Sequence, residues 1–534
     1  MSDPPPVSGL SSASLYGADL SGAGLPGSDW SGGSLPSVGL LGMEKFNLAS
    51  LVNLHDRTKR CLVDIYGALT YGELSALAES WRQHFQAEGI KKGDRIAIIT
   101  HNDRTFVAPY LGALALGAIV VPLNPHSPEP EMKHELDLVS PELILPRDVV
   151  SSPNLESGGG EGGVGGGVAS GGVASDGVVG DGIASDGGVG DGIASDGGVG
   201  DGIASDGVLK TLEMHRDDPC VLLFTSGTAG FPKAAILTHG SLLANLEQIR
   251  GYSRPEDVGL AVLPFFHVFG LNVVLNLGLL TGGTLIMTAM TDEVTLVAGV
   301  PAHFEMWAHD ASIRMDNVRL AISGGAPLSR ETATKFRERF GLPIHEGYGL
   351  TEASPVVSFP DFDKEPVFGS VGTPLKAVEV KLVDSSGEEV FEGDAGEVLV
   401  RGPNVFAGYF RSDKSVVDAQ GWLHTGDIGV VGYDGNLYLV DRAKDLIIVS
   451  GFNVYPQEVE KVIEELDGVE EVAVAGKDRV NVYVVAKNIT ENDIIHKCRE
   501  NLAAYKCPSS VYFVDSLPRS ASGEVLRRSL DSRS

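Results

Sequence analysis

Residues 220–242, CVLLFTSGTAGFPKAAILTHGSL, form the stretch of the sequence best suited to chemistry. An apolar run leads into hydroxyl, glycine and lysine residues, namely Thr225, Ser226, Gly227, Thr228 and Lys233. Glycines let backbone N–H groups approach a phosphate, while hydroxyls add donors and lysine adds charge. The segment lacks the GxxxxGK[ST] spacing of a P-loop. It therefore indicates either another kind of phosphate-binding loop or a polar turn between two strands.

Further motifs follow this segment along the chain. They are LPFFHVFG (263–270), SGGAPLS (323–329), EGYGLTEASP (346–355), GEVLVRGPNVFAGYF (396–410), GWLHTGDIG (421–429) and VDRAKDLIIVSGFNVYPQEVE (440–460). In this order, and with the glycine-rich segment, they resemble the adenylate-forming superfamily of acyl-CoA synthetases, aryl-CoA ligases, firefly-type luciferases and peptide-synthetase adenylation domains. The resemblance covers roughly residues 44–530, apart from 151–207. The last motif is most similar to fatty acyl-CoA ligases.

The resemblance implies a reaction and its site residues. The family forms an acyl-adenylate from a carboxylic acid and MgATP, and then transfers the acyl group to a thiol. The implied nucleotide contacts are Thr225, Ser226, Gly227, Thr228 and Lys233 for the phosphates, Gly325, Ala326, Pro327, Glu346, Gly347 and Tyr348 for adenine, and Asp427 and Arg442 for ribose. The other implied positions are Thr351 at the α-phosphate, Glu352 and Thr228 at Mg²⁺, and His267 beside the acyl carboxylate.

Some of these residues also have purely structural interpretations. His267 could be an ordinary packed or surface histidine, and Asp427 in HTGD could cap a turn. The ordered set of motifs favours the functional interpretation. Mg²⁺ is a hard ion that prefers oxygen ligands, which suits the carboxylate of Glu352.

The family changes the orientation of a small C-terminal domain between its two half-reactions. By resemblance, Lys444 is the hinge, and Ser450, Gly451 and Phe452 line the tunnel for the CoA thiol. A solvated surface charge is the alternative for Lys444. Fatty acyl-AMP ligases carry an insertion that blocks this motion, and no extra block separates SGGAPLS from EGYGLTE. This favours CoA over a carrier protein as the acceptor.

The C-terminal motif PRSASGEVLRRSL (518–530) departs from the family ending PRxxxGKxxRRxL in one respect: Glu524 replaces the lysine. In the family that lysine bridges the carboxylate and α-phosphate oxygens during adenylation. Losing one such donor costs about 3–4 kcal/mol, and a reversed charge adds to the deficit. The short KDR connection (477–479) replaces a longer family loop. We therefore expect adenylation to be impaired, whether Glu524 is natural or introduced.

The elements that must position these motifs alternate along the chain. Short apolar runs such as RIAIIT, CVLLFTS and LAISGG predict strands, and YGELSALAESWRQHFQAEG predicts a helix. This alternation predicts an α/β fold of layered sheets in a large AMP-binding domain, residues 44–441. The C-terminal elements predict a small, mobile α+β lid, residues 442–534: helix 456–466, strands near 470–475, 480–486 and 511–515, and a helix near 491–503.

Composition limits the partners and the setting. With 71 acidic and 41 basic residues, the 534-residue chain has a formal charge of −30, which argues against nucleic acid. Four cysteines without a CxxC pair fit a reducing cytoplasm. The N-terminus has no basic and apolar signal regions, so we expect a cytoplasmic protein. Residues 258–291 lack charged side chains, but polar residues, Pro264 and glycines favour buried helix and strand over a membrane span.

Two segments are repetitive. Residues 1–43 have a five-residue period that suggests either a flexible Gly/Ser-rich extension or about one coil of a pentapeptide-repeat helix. Residues 156–207 repeat DGGVGDGIAS, and the insertion 151–207 contains few bulky residues. The spacing does not match calcium-binding GGxGxD repeats, so we expect a disordered, solvated segment.

Three functions remain open from the sequence. The first is an AMP-forming acid–thiol ligase that uses ATP, Mg²⁺ and CoA to activate a hydrophobic carboxylic acid. The resemblance to fatty acyl-CoA ligases favours a fatty acid as this substrate. The second is a non-catalytic protein that binds an acyl-adenylate or a nucleotide. The third is a specialised-pathway enzyme that uses the scaffold for another ATP-dependent ligation. The sequence is also compatible with a homodimer.

Overall fold

The fold is seen in a computed structural model. It describes residues 43–146, 207–225, 232–442, 447–449, 452–454, 456–476, 479–502, 504–519 and 525–531. The five-residue period before residue 43 and the ten-residue repeats before residue 207 lie outside the described residues.

The helices follow the periodicity of their apolar residues. They are α1 Tyr71–Ala87, α2 Arg104–Leu116, α3 Glu129–Val139, α4 His239–Ile249, α5 Leu277–Thr281, α6 Pro301–His309, α7 Arg330–Phe340, α8 Pro456–Glu464, α9 Glu491–Asn501 and α10 Arg527–Asp531. A π-helix, Phe269–Asn276, runs directly into α5. Short 3₁₀ turns are Leu48–Leu54, Arg250–Tyr252, Thr351–Ala353 and Ala504–Lys506.

Helix α1 shows why these elements form where they do. Thr70 and Glu73 make a reciprocal cap, in which each side chain accepts a hydrogen bond from the other's backbone amide. The residues that α1 buries recur at helical spacing and include Leu74, Ala78, Trp81 and Phe85. The helix therefore has both a defined start and a continuous apolar face.

The strands of the described residues are mostly short. They are β1 Arg60–Asp64, β2 Gly67–Thr70, β3 Arg95–Ile98, β4 Ile119–Pro122, β5 Leu143–Leu145, β6 Pro219–Thr225, β7 Lys233–Thr238, β8 Val258–Leu260, β9 Thr284–Ile286, β10 Leu296–Gly299, β11 Leu320–Ser323, β12 Ile344–Glu346, β13 Tyr348–Gly349, β14 Val356–Phe359, β15 Thr373–Pro374, β16 Glu379–Val383, β17 Ala395–Arg401, β18 Leu423–Val431, β19 Leu437–Arg442, β20 Ile447–Val449, β21 Phe452–Val454, β22 Val469–Ala475, β23 Asn481–Ala486 and β24 Ser510–Phe513.

Two mainly parallel sheets and a third, antiparallel sheet make up most of the fold. One has the order β5-β3-β4-β6-β7, with only β7 antiparallel to its neighbour. The other has the order β12-β11-β10-β8-β9-β1-β2. Strands β16 to β19 form the antiparallel sheet. Helices cover the parallel sheets and share a buried apolar core with them. The predicted α/β fold of layered sheets is confirmed.

The C-terminal elements have a core of their own. Strands β22, β23 and β24 form one sheet, and α8 and α9 pack with it. Fully buried residues of this core include Ile447, Val459, Val482 and Ile494. The helices and strands predicted after residue 455 occur within a few residues of their expected ends.

Most of the charge-free stretch 258–291 is buried in the large α/β part of the chain. It supplies β8, the π-helix, α5 and β9, as the interpretation of buried helix and strand predicted. Within the described ranges, no helix combines the length and the hydropathy required to cross a membrane.

Candidate nucleotide site

The glycine-rich segment joins two antiparallel strands. Thr225 ends β6 and Lys233 begins β7, and the two residues are paired across the strands. Ser226, Gly227 and Thr228 lie outside the described residues. Both ends of the predicted phosphate loop are thus fixed by the sheet, in a strand-to-strand connection that both sequence interpretations allowed.

The predicted adenine loop follows a parallel strand. Strands β11 and β12 pair in parallel, with Ser323 opposite Glu346, and the Gly347 amide donates to the Ser323 carbonyl at 2.9 Å. Gly325 has φ +81°, a conformation that strains other residues. The Leu328 amide donates to Glu346 Oε1 at 3.0 Å. The glutamate therefore holds the loop that contains Gly325, Ala326 and Pro327.

The environment of Glu346 changes its acidity. Burial raises the pKa of Glu346 to about 7, although the Leu328 amide and the charge of Lys461 in α8 both act to lower it. A charged group removed from water is stabilised mainly in its neutral form. Glu346 consequently changes its protonation state near neutral pH.

Tyr348 and Asp427 meet next to this loop. The Tyr348 hydroxyl donates to Asp427 Oδ2 at 2.6 Å, and Tyr348 is buried. Asp427 lies on β18 opposite Arg442, the last residue of β19. A Cβ atom on Gly347 would lie 2.6 Å from the Phe359 ring, so only glycine fits beside Tyr348. An aromatic residue and a carboxylate thus adjoin a strand end lined by glycine, which suits a purine and the ribose hydroxyls.

The turn Thr351–Ala353 presents the predicted metal ligand. Glu352 Oε1 accepts a hydrogen bond from the Tyr409 hydroxyl at 2.5 Å. The ammonium group of Lys233 lies 4.7 Å from the centre of the Tyr409 ring. The structure therefore joins the lysine of the phosphate segment to the glutamate through one tyrosine.

His267 occupies the turn before the π-helix and is exposed. Its Nδ1 atom accepts a hydrogen bond from the Phe269 amide at 3.2 Å. The ring of Phe269 packs against Gly324, and Asn272 donates to the Ser354 carbonyl at 2.7 Å. This π-helix therefore touches both the adenine loop and the turn that contains Glu352. Departures from regular α-helix of this kind are frequent at functional sites.

The predicted C-terminal site residues are only partly described. Lys444, Ser450, Gly451 and Glu524 lie outside the described residues, and Phe452 begins β21.

The residues that flank 520–524 are held in place. The Leu526 amide donates to the Pro518 carbonyl at 2.8 Å, and Arg519 and Val525 form an antiparallel bridge. Arg527 forms a buried ion pair with Glu460, at 2.8 Å.

The described residues fit a nucleotide with its metal ion. No group of three or more metal-binding side chains occurs in the described part of the chain. Mg²⁺ needs no such cage when a nucleotide is present, because one or two carboxylates together with phosphates hold it. Glu352 supplies such a carboxylate, close to Lys233 through Tyr409. This donor set matches Mg²⁺ bound to phosphate.

Tyr409 is the residue of this site that the sequence did not reveal. It stands in the motif GEVLVRGPNVFAGYF, which was recognised as a unit, but its partner Glu352 is 57 residues away. A hydrogen bond between a tyrosine and a carboxylate this far apart in the sequence produces no recognisable local pattern. The one local signal is that Tyr409 is the only titratable residue among the last nine of the motif, 402–410.

Comparisons with known proteins agree with this site. The profile of the AMP-binding enzyme family matches residues 52–410, and that of the AMP-binding enzyme C-terminal domain matches residues 458–524.

Similar proteins extend over most of the chain. A long-chain-fatty-acid–CoA ligase of Escherichia coli O157:H7 is 32% identical over 519 residues, covering 88% of this chain and 90% of its own length. A feruloyl-CoA synthase of an Amycolatopsis species is also 32% identical, with 86% and 93% covered. The crystal structure of ATP-bound MatB from Rhodopseudomonas palustris has a TM-score of 0.77 at 27% identity, with 91% and 98% covered.

The nucleotide-binding geometry, both family profiles and relatives matched over most of their length agree with each other. The chain belongs to the AMP-binding enzyme family, within the adenylate-forming superfamily that its motifs resemble.

Proposed function

We propose that this protein is an ATP-dependent acid–CoA ligase that activates a hydrophobic carboxylic acid, with a fatty acid as the first candidate. The observation that carries the proposal is the joining of Tyr348 to Asp427, and of Lys233 to Glu352 through Tyr409. The similar long-chain-fatty-acid–CoA ligase and feruloyl-CoA synthase support a carboxylic acid and CoA as substrates.

In this proposal, different residues bind the adenine, the ribose and the phosphates of ATP during adenylation. Tyr348 and the loop Gly325–Pro327 enclose adenine, while Asp427 and Arg442 bind the ribose hydroxyls. Lys233 and the hydroxyls of residues 225–228 bind the phosphates of ATP. Positive charge and hydrogen-bond donors aimed at developing negative charge lower the barrier of such a transfer.

The α-phosphate is assigned to Thr351 and the acyl carboxylate to His267. The carboxylate oxygen attacks the α-phosphorus, the bond to the bridging oxygen of pyrophosphate breaks, and pyrophosphate leaves. Glu352, with Thr228, would hold Mg²⁺, which supplies positive charge beside the phosphate oxygens.

The second half-reaction is assigned to the C-terminal part of the chain. We propose residues 44–441 as the large domain and 442–534 as a lid that pivots at Lys444. Ser450, Gly451 and Phe452 would then line the path of the CoA thiol. The thiol sulfur attacks the acyl carbon, AMP leaves, and a thioester forms.

A second candidate function is a protein that binds a nucleotide or acyl-adenylate without forming it efficiently. It is favoured by Glu524, which puts a negative charge where the family has lysine. A carboxylate at this position would repel the substrate carboxylate and the α-phosphate. The two candidates share the nucleotide site and differ in whether the first half-reaction proceeds.

Exchange of labelled pyrophosphate into ATP separates these candidates. The assay requires only the first half-reaction and is run with saturated fatty acids of several lengths and with aryl acids. Exchange that depends on one class of acid supports the ligase and identifies that class. Tight AMP binding without exchange supports the binding protein. If the protein neither binds a nucleotide nor catalyses exchange, the nucleotide site shared by both candidates is rejected.

A further inference from the structure

Segment 404–410 fastens together two parts of the nucleotide site. Its backbone pairs with β7: the Ile236 amide donates to Gly408 at 2.9 Å, and the Phe410 amide donates to Ala234 at 2.8 Å. The Phe406 amide donates to the Glu352 carbonyl at 2.8 Å. The same seven residues therefore fix both the strand that begins with Lys233 and the turn that contains Glu352.

Tyr409 is the member of this segment whose side chain reaches both functional groups. Its hydroxyl donates to Glu352 Oε1 at 2.5 Å, and among the described residues it is the only donor to this carboxylate. A neutral hydroxyl bonded to a carboxylate makes a short, charge-assisted hydrogen bond. This bond restricts the rotation of the Glu352 carboxylate and leaves Oε2 available.

The ring of Tyr409 contacts the second functional group, the ammonium group of Lys233. The Lys233 ammonium group lies 4.7 Å from the ring centre, within the range of a cation–π contact. The Phe406 ring packs edge-on against Tyr409, with the ring centres 5.0 Å apart. The aromatic plane is therefore held between a neighbouring ring and the charge it attracts.

We propose that Tyr409 is a positioning residue for the metal–nucleotide complex: its hydroxyl orients Glu352 toward the metal ion, and its ring holds Lys233 beside the phosphates. The inference rests on the proposed function, because that function assigns Glu352 to Mg²⁺. Partners that orient a metal ligand change metal affinity about 10- to 100-fold when they are removed. The effect should thus appear in the dependence of ATP binding on metal.

The test is calorimetry of ATP and AMP binding without any acid substrate, so that no turnover occurs. ATP is titrated once with Mg²⁺ and once with EDTA, and AMP is titrated with EDTA. Tyr409→Phe keeps the ring and removes only the hydroxyl. Tyr438→Phe is the matched control, because the exposed Tyr438 hydroxyl donates to Asp434 at 2.7 Å away from this cluster.

We expect Mg²⁺ to strengthen ATP binding to the unchanged protein and to the control equally. In Tyr409→Phe this enhancement should fall about 10-fold, while AMP affinity in EDTA stays the same. Tyr409→Leu removes the ring as well, and it should also weaken ATP binding in EDTA by about 2- to 5-fold.

Three results would overturn the inference, each for a different reason. An unchanged Mg²⁺ enhancement in Tyr409→Phe would show that the hydroxyl does not orient the ligand, while the proposed function would stand. Equal loss of AMP and ATP binding would show that Tyr409 supports the fold of the site. Absence of metal-dependent ATP binding in the unchanged protein would reject the metal assignment of the proposed function, and this inference with it.

Discussion

Tyr348 and Asp427 lie 79 residues apart in sequence, yet the hydroxyl of the first donates to the carboxylate of the second at 2.6 Å. The bond links β13, in the sheet β13-β14-β15, to the antiparallel sheet that contains β18. It fixes the direction of a carboxylate that the proposed function assigns to ribose. The geometry of the nucleotide site therefore depends on two sheets that the chain builds separately.

Asp427→Ala should weaken AMP binding about 10- to 100-fold. Hydrogen bonds to a charged acceptor contribute about 1.5–3 kcal/mol, and the substitution removes those to ribose. Asp434→Ala is the control, because Asp434 is an exposed carboxylate that also accepts from a tyrosine, Tyr438. Calorimetry should show normal AMP affinity in the control. Normal affinity in Asp427→Ala would refute the ribose assignment.

Glu346→Gln should stabilise the nucleotide-free protein at alkaline pH. Burial raises the pKa of Glu346 to about 7, above the 4.5 of a free glutamate, so this group favours folding below pH 4.5 and loses that contribution as the pH rises through 7. Glutamine can still accept from the Leu328 amide but carries no buried charge. The shift corresponds to about 3 kcal/mol.

Thermal unfolding of both proteins from pH 5 to pH 8.5 measures this effect. The difference in Tm should be small at pH 5 and should grow in favour of Glu346→Gln above pH 7. A variant that is less stable than the unchanged protein at pH 8.5 would show that the ionised carboxylate is stabilised in the fold.

Glu524→Lys should raise the rate of acyl-adenylate formation by at least about 100-fold, because it restores a donor at the anionic transition state. Thioester formation from synthetic acyl-AMP and CoA should change only by a small factor, since the proposed pivoting of the lid moves this residue away. Pyrophosphate release measures the first step, and consumption of the CoA thiol measures the second.

Glu338→Lys is the control for net charge, as Glu338 is exposed on α7. Fast adenylation by the unchanged protein, without a gain in Glu524→Lys, would mean that another residue supplies the charge. Limited proteolysis with and without an acyl-adenylate analogue should accompany a negative result, to test whether the proposed lid docks.

Deleting residues 156–206 and joining the ends through a short Gly/Ser linker should leave folding and AMP binding nearly unchanged. Loop closure varies by only about 0.6 kcal/mol for each doubling of loop length. The deletion stops before Gly207 because its carbonyl accepts from Arg57 at 2.8 Å.

A longer deletion, of residues 156–210, serves as the comparison that should destabilise the protein. It removes the buried Leu209 and the bond from the Lys210 amide to Glu79, so the Tm should fall. If the shorter deletion also unfolds the protein or abolishes AMP binding, the repeats are part of the structure.

The sequence predicted those elements whose signals are local. Helix α9, Glu491–Asn501, begins at Thr490, whose side chain and that of Asp493 cap each other's amides, and it was expected near 491–503. Strand β23, Asn481–Ala486, is a compact apolar run and was expected at 480–486. Propensity, patterning and capping agree in these segments, so neighbours in sequence suffice to define them.

Features that depend on distant partners were not predictable. Apolar residues continue after β8 as far as Leu263, but the strand itself ends at Leu260. Asn102, 163 residues before Phe265, accepts from that residue's amide and donates to the Leu263 carbonyl, so this backbone bonds outside the sheet. The π-helix is likewise held by Asn272 and its bond to Ser354. Local apolar character could not distinguish these outcomes.

The candidate site likewise combines features that local sequence predicts with features that depend on distant partners. The motif around Glu352 predicted a metal ligand, whereas the hydrogen bond that Glu352 accepts from Tyr409 is a property of the folded chain. Thr225 and Lys233 were expected near a phosphate, and their pairing across two strands follows from the register of β6 and β7.

The bonds on either side of residues 520–524 have an evolutionary consequence. The Pro518–Leu526 hydrogen bond uses backbone atoms alone, and the ion pair joins the side chains of Arg527 and Glu460, both outside the segment 520–524. Selection can therefore alter the charge at position 524 without dismantling these anchors. If position 524 controls adenylation as proposed, a lineage could lose and regain that step through a single codon while these anchors persist.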